Sequence, residues 1–152
     1  MTGAPQPWIN GAGQDTVRSD EMRVLIVDDV QQNCRVMKAL LAKHGECDIA
    51  ATGRDAVTAF QEAWKAGNPY QLICLDIMLP DLDGIKVLAV LRKMEEAMNV
   101  EKDKRVCVIM VTSLDDSEYK MKSYDLGISG YLTKPIFSNA LTECLKRAKL
   151  IE

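Results

Sequence analysis

The stretch Gln71–Gly84, QLICLDIMLPDLDG, decides the fold. Leu72, Ile73, Cys74 and Leu75 make a short unbroken apolar run, the pattern of a strand buried on both faces, and the run stops abruptly at Asp76. In open α/β sheets ligands bind outside the carboxyl ends of the strands, so an acid at that position is a site candidate rather than a surface charge. Pro80, Asp81, Asp83 and Gly84 supply turn and helix-start chemistry, which predicts a helix beginning at Gly84.

Outward from this stretch the same pattern repeats. Arg23–Val27 (RVLIV) is a second buried strand and ends in Asp28 and Asp29; Val106–Val111 (VCVIMV) is a third and ends in Thr112 and Ser113. Ile128–Leu132 is a short strand followed by Thr133, Lys134 and Pro135, and Cys47–Ala51 is a weaker edge strand with no obvious contribution to a site. Helices fall between the strands. Val30, Cys34, Met37 and Leu41 share one face of a helix closing at His44-Gly45, where His44 reads as a partner of the helix dipole. Val57, Phe60 and Trp64 mark a helix from Gly53, and Leu88, Leu91 and Met98 mark the helix from Gly84. Asp115, Asp116 and Ser117 offer caps for a helix to Asp125 whose face, Tyr119, Met121 and Tyr124, is ragged and predicts loose packing. Leu141, Cys144, Leu145 and Ala148 form the clearest stripe, with Ser138 as the expected cap. Alternating strands and helices call for a parallel sheet covered on both faces, and right-handed crossovers gather Asp28, Asp29, Asp76, Thr112 and Lys134 at one edge.

Composition narrows the functions. The 152 residues, 47% hydrophobic and 27% charged, suit one globular domain, read as residues 22–152 behind a flexible leader, residues 1–21, that mixes Gly, Pro and polar residues. A formal net charge of -3 gives no basic face, so no nucleic-acid partner is expected. No apolar run approaches the ~20 residues that span a bilayer, and no signal-peptide core is present, so no membrane partner and a cytoplasmic location are expected. Five cysteines without a C-x-x-C pair, and a single histidine, argue against zinc and for small buried hydrophobes in a reducing compartment.

The set VDD (27–29), LDIMLPDLDG (75–84), VTS (111–113) and GYLTKP (130–135), in that order and spacing, resembles the receiver domain of two-component response regulators over about residues 22–150. The resemblance implies a flavodoxin-like, doubly wound five-stranded parallel sheet, order 2-1-3-4-5, flanked by five helices. It implies Asp76 as phosphoacceptor, with Mg2+ (or Mn2+) held by Asp28, Asp29, Asp76 and the Met78 backbone carbonyl. Thr112 and Lys134 would contact the phosphoryl oxygens, Thr112 and Tyr131 would form the switch, and Met78, Ser113 and Leu114 would line the pocket rim. The implied donor is a sensor histidine kinase or histidine phosphotransfer protein. No effector segment is read after Glu152, so output is expected through a protein target on the face made by the fourth helix, fifth strand and fifth helix. The Lys134-Pro135 bond is expected to be cis by the same resemblance.

These residue types suit the chemistry. A carboxylate is already ionised at neutral pH, so Asp76 needs no general base to attack phosphorus. The obstacle is charge, because the incoming group meets up to three carboxylates; a hard cation and Lys134 answer it. Two rival classes differ in their requirements. An unphosphorylated receiver-like binding module would not need the full set of acids, Thr112 and Lys134. An Mg-dependent aspartyl-phosphate phosphatase would want a second aspartate two residues after the nucleophile, where this chain has Met78.

Overall fold

The computed structural model describes residues 22–152, so the expected leader lies outside the described residues. Five strands, β1 (Met22–Val27), β2 (Gly45–Ala50), β3 (Leu72–Leu75), β4 (Cys107–Thr112) and β5 (Gly130–Thr133), form one parallel sheet in the order β2-β1-β3-β4-β5. Between and after them run α1 (Gln31–Leu41), α2 (Gly53–Lys65), α3 (Gly84–Ala97), α4 (Ser117–Asp125) and α5 (Ser138–Arg147), and one 3-10 turn (Lys102–Lys104) lies in the charged connection before β4. This is the expected doubly wound architecture.

The strands' two-residue period divides the core. Leu25, Val27, Ile73, Leu75, Val108 and Met110 join the layer containing Phe60 of α2 and Leu88 and Leu91 of α3. Val24, Ile26, Leu72, Cys74, Ile109 and Val111 join the opposite layer, with Cys34, Met37 and Leu41 of α1 and Leu141, Cys144 and Leu145 of α5. Each fully buried Leu, Ile or Phe contributes roughly 1.5–3 kcal/mol over exposure, so both faces of β1, β3 and β4 hold the sheet's centre rigidly. That rigidity matters for the residues that follow those strands.

Several local expectations shift. The buried face of α2 is Ala56, Phe60 and Ala63, while Val57 and Trp64 flank it half-buried. Small alanines on the face bring the helix close to the layer beneath. Met98 closes α3 as an exposed cap, and the inner face ends instead at Glu95, which is fully buried. Ser138 is the first helical residue of α5 rather than its cap: Phe137 is extended and its carbonyl accepts the Leu141 amide at 3.1 Å, which makes Phe137 the cap position. β5 starts at Gly130, set by pairing with Ile109, and Thr112 belongs to β4. His44 sits in the turn after α1, where burial first and then Lys43 lower its pKa. α4 is as loosely packed as its ragged face predicts, since Ser123 is its only buried residue. The Lys134-Pro135 peptide is cis.

Candidate functional site

Sheet hydrogen bonding does not stop where the strands do. The Asp28 amide donates to Ala50 O (3.1 Å), the Asp76 amide to Val27 O (3.0 Å) and the Lys134 amide to Thr112 O (2.8 Å). Backbone bonding thus carries one residue past β1, β3 and β5 and fixes where each charged side chain leaves the sheet. Gly84 keeps the returning chain close: a Cβ there would lie 2.2 Å from Asp76 O, so no other residue fits without moving the β3–α3 loop. Its amide donates to Ile77 O at 2.7 Å, closing the base of that loop.

Within this frame the charged groups converge. Lys134 Nζ donates to Asp28 Oδ2 at 2.6 Å and to Asp76 Oδ2 at 2.8 Å. The second oxygen of each acid is turned to its own loop: Asp28 Oδ1 accepts the Val30 amide (2.9 Å) and Asp76 Oδ1 the Met78 amide (3.2 Å). Asp28 and Asp76 are each 5% exposed, whereas Asp29 is open to solvent. Burial draws the Lys134 pKa down, but hydrogen bonds and charge from Asp28 and Asp76 outweigh it, and the net shift is upward. Lys134 therefore stays cationic at neutral pH.

One ammonium faces three carboxylates, and the imbalance is the site's main electrostatic property. Asp28, Asp29 and Asp76 each offer an oxygen within 4.8 Å of the others. Opposite ligands of an oxygen-coordinated Mg2+ lie about 4.2 Å apart, so these three acids fit a hard divalent cation with small side-chain adjustment. The donor set, all oxygen and net negative, suits Mg2+ or Mn2+ and not a thiophilic metal.

The remaining expected residues are spread over the end of β4 (Thr112), the loop after it (Ser113, Leu114), β5 (Tyr131) and the β3–α3 loop (Met78). Thr112 is fully buried, and its Oγ1 accepts the Leu114 amide at 3.4 Å. Tyr131, half-buried, donates its hydroxyl to Leu114 O at 2.6 Å. The peptide groups of Leu114 are thus gripped from one side by Thr112 and from the other by Tyr131, a link that strand patterns do not reveal. Burial, then the charges of Asp115, Asp116 and Asp76, raise the Tyr131 pKa, so the hydroxyl stays a donor. Lys120 Nζ stands 5.5 Å from the Tyr131 ring centre. Met78 is 59% exposed, Ser113 is exposed and Leu114 is half-buried, so the three differ in how far they are open to solvent.

Three contributors were not legible from motifs. Cys34 Sγ donates to Asp28 O at 3.3 Å beneath the acids. Asp81 accepts hydrogen bonds from the start of α2. Glu95 accepts the Val106 amide (2.8 Å) and pairs with Arg92 (2.7 Å), bracing α3 against the start of β4. Glu95 could have been found: it falls four residues after Leu91 and seven after Leu88, a charged residue on an apolar stripe with an arginine one turn earlier.

Fold and site together define a doubly wound α/β protein with an acid–lysine pocket at the carboxyl edge of its sheet. The family model described as "Response regulator receiver domain" matches residues 24–146, and the chain belongs to that family. It is 32% identical over 131 residues to the regulatory protein VanRB of Enterococcus faecalis, covering 86% of this chain and 52% of that protein. It is 31% identical over 126 residues to hybrid signal transduction histidine kinase L of Dictyostelium discoideum, covering 82% of this chain and 7% of that one. The chain thus spans about half of one relative's length and a small part of the other's. Among solved structures, the BeF3-activated DrrB receiver domain superposes with a TM-score of 0.67 at 25% identity, over 85% of this chain and 97% of that one. Among the described residues no helix is long and apolar enough to cross a membrane.

Proposed function

We propose that this receiver domain accepts a phosphoryl group on Asp76 and uses the resulting change at Thr112 and Tyr131 to alter its contacts with a protein target. The observation that carries the reading is the shared grip of Lys134 on Asp28 and Asp76. It holds the acceptor carboxylate in one orientation beside the positive charge that the incoming group requires.

In the reaction, an Asp76 carboxylate oxygen forms a bond to phosphorus as the donor's P–N bond breaks. The electron pair leaves with the imidazole of a histidine kinase or phosphotransfer protein, which takes up a proton. Lys134 exchanges part of its hydrogen bonding from Asp76 to a phosphoryl oxygen, and the Thr112 hydroxyl donates to another. Asp28, Asp29 and Asp76, with the Met78 carbonyl that the resemblance implies, would hold a divalent cation, which would supply charge neutralisation. As Thr112 turns toward the phosphoryl group it gives up the Leu114 amide, the weaker of the two grips on that residue. Tyr131 then shifts with Leu114, and the surface of α4, β5 and α5 changes for its partner.

A cytoplasmic location agrees with five free thiols. Neither Met78 nor Leu114 can orient water by hydrogen bonding, so the acyl phosphate is expected to persist for minutes or longer in magnesium buffer; decay within seconds contradicts this. The central test treats the protein with acetyl phosphate and MgCl2 and weighs it intact. One added phosphoryl group that is absent in Asp76→Asn supports the reading. No adduct on the wild type points to an unphosphorylated binding module, and catalytic turnover of a phosphate ester points to a phosphatase.

A further inference from the structure

The amino end of α2 is closed by a residue from a different loop. Of its first three amides, the helix's own Thr52 side chain caps only that of Asp55, at 3.0 Å. The other two are taken by Asp81: Gly53 N donates to Oδ1 at 2.8 Å and Arg54 N to Oδ2 at 3.0 Å. These contacts bridge 28 and 27 residues of sequence, and the Gly53 amide, followed by that of Arg54, holds the Asp81 carboxyl below its ordinary pKa. A carboxylate on two free amides at the positive end of a helix is a charge-assisted, two-point attachment.

Packing reinforces the attachment. A Cβ on Gly53 would meet Val87 Cγ2 at 2.8 Å and Leu82 Cβ at 3.0 Å, so the start of α2 lies directly against the loop and the start of α3. The β3–α3 loop is therefore pinned at its base by Gly84 on Ile77 and at its tip by Asp81 on α2. Between the two pins lie Met78, Leu79 and Pro80. The Asp76 side chain receives the Met78 amide, so slack in the tip passes to the acid itself.

We propose that Asp81 is a positioning residue that latches the β3–α3 loop to α2 and so sets the affinity of the Asp28–Asp29–Asp76 cluster for a divalent cation. This rests on reading that cluster as a cation site. It also gives edge strand β2 a part in the site, because β2 delivers the helix end on which the loop is fastened.

The test titrates the 152-residue wild-type chain, Asp81→Ala and Asp81→Asn with MgCl2 by calorimetry. It is run beside hydrogen exchange across residues 77–83 and urea unfolding of the metal-free proteins. Asp81→Ala is expected to weaken Mg2+ binding about tenfold, the low end of what partners behind metal ligands contribute, and to speed exchange in 77–83 while leaving the core of α5 protected. Asp81→Asn, with one acceptor oxygen and no charge, is expected to fall between, and it decides the matter if the alanine variant does not fold. Wild-type Mg2+ affinity in a folded variant, whatever its stability, makes Asp81 a helix cap only and leaves the phosphoacceptor reading standing. Absence of Mg2+ binding by the wild type overturns both.

Discussion

α4 and α5 are nearly the same length, nine and ten residues, yet they are held in opposite ways. α5 inserts Leu141, Cys144 and Leu145 into the core layer shared with α1. α4 buries only Ser123, whose hydroxyl turns back to Tyr119 O within the helix at 2.8 Å. Tyr119 and the cap residue Leu126 pack half-buried against the core, and the remaining attachments of α4 are polar and sit at its ends. Arg92 donates to Leu126 O (2.9 Å) and Gly127 O (2.8 Å) at the carboxyl end, and Tyr131 donates to Leu114 O (2.6 Å) ahead of the amino end. A helix held by exchangeable hydrogen bonds can move at small cost, whereas one held by buried side chains loses their burial first. This contrast supports α4 as the moving part of the proposed output face and α5 as its fixed support.

The largest expected break in this contrast is Arg92→Ala. It strips the carboxyl-end anchor of α4 and leaves Glu95 buried without its partner, at a cost of about 3–5 kcal/mol by urea unfolding in EDTA. Leu145→Ala should cost about 2–5 kcal/mol, because a cavity opens where α5 meets the sheet. Tyr131→Phe removes one hydrogen bond and keeps the ring; about 0.5–1.5 kcal/mol is expected, with faster amide exchange confined to the Leu114–α4 segment. Met121→Ala, on the exposed side of α4, should stay within about 0.5 kcal/mol. A Met121 effect as large as that of Leu145 would show that α4 is held by packing after all.

Lys134 adds a pH dependence. Its folded pKa is raised, so its ion pairs with Asp28 and Asp76 contribute their full stability below the ordinary value of 10.5, and that contribution is lost as pH rises from there through the folded value. Lys134→Met should flatten this alkaline limb in unfolding curves recorded without metal. An unchanged limb would falsify the assignment of that stability to Lys134.

The strands and their order along the chain were legible because each core strand is an apolar run that ends in a charged or hydroxylic residue: RVLIV before Asp28, LICL before Asp76, VCVIMV before Thr112. Such runs report burial on both faces directly, and a parallel sheet then forces their ends to one edge. Asp28, Asp29, Asp76, Thr112 and Lys134 could be collected on that reasoning, and the structure gathers them there. Only tertiary structure decided how the collection is held. The pairing of Asp81 with Gly53, of Arg92 with Leu126 and Gly127, and of Tyr131 with Leu114 joins residues 17 to 35 apart through backbone groups, which carry no residue-type signal. The inner faces of α2 and α3 likewise depended on how closely neighbouring elements approach, so Ala56 and Ala63 were placed inside and Glu95 was tolerated there with Arg92. Hydropathy along a chain records what avoids water; which peptide group a side chain will meet is fixed only when separate elements are brought into contact.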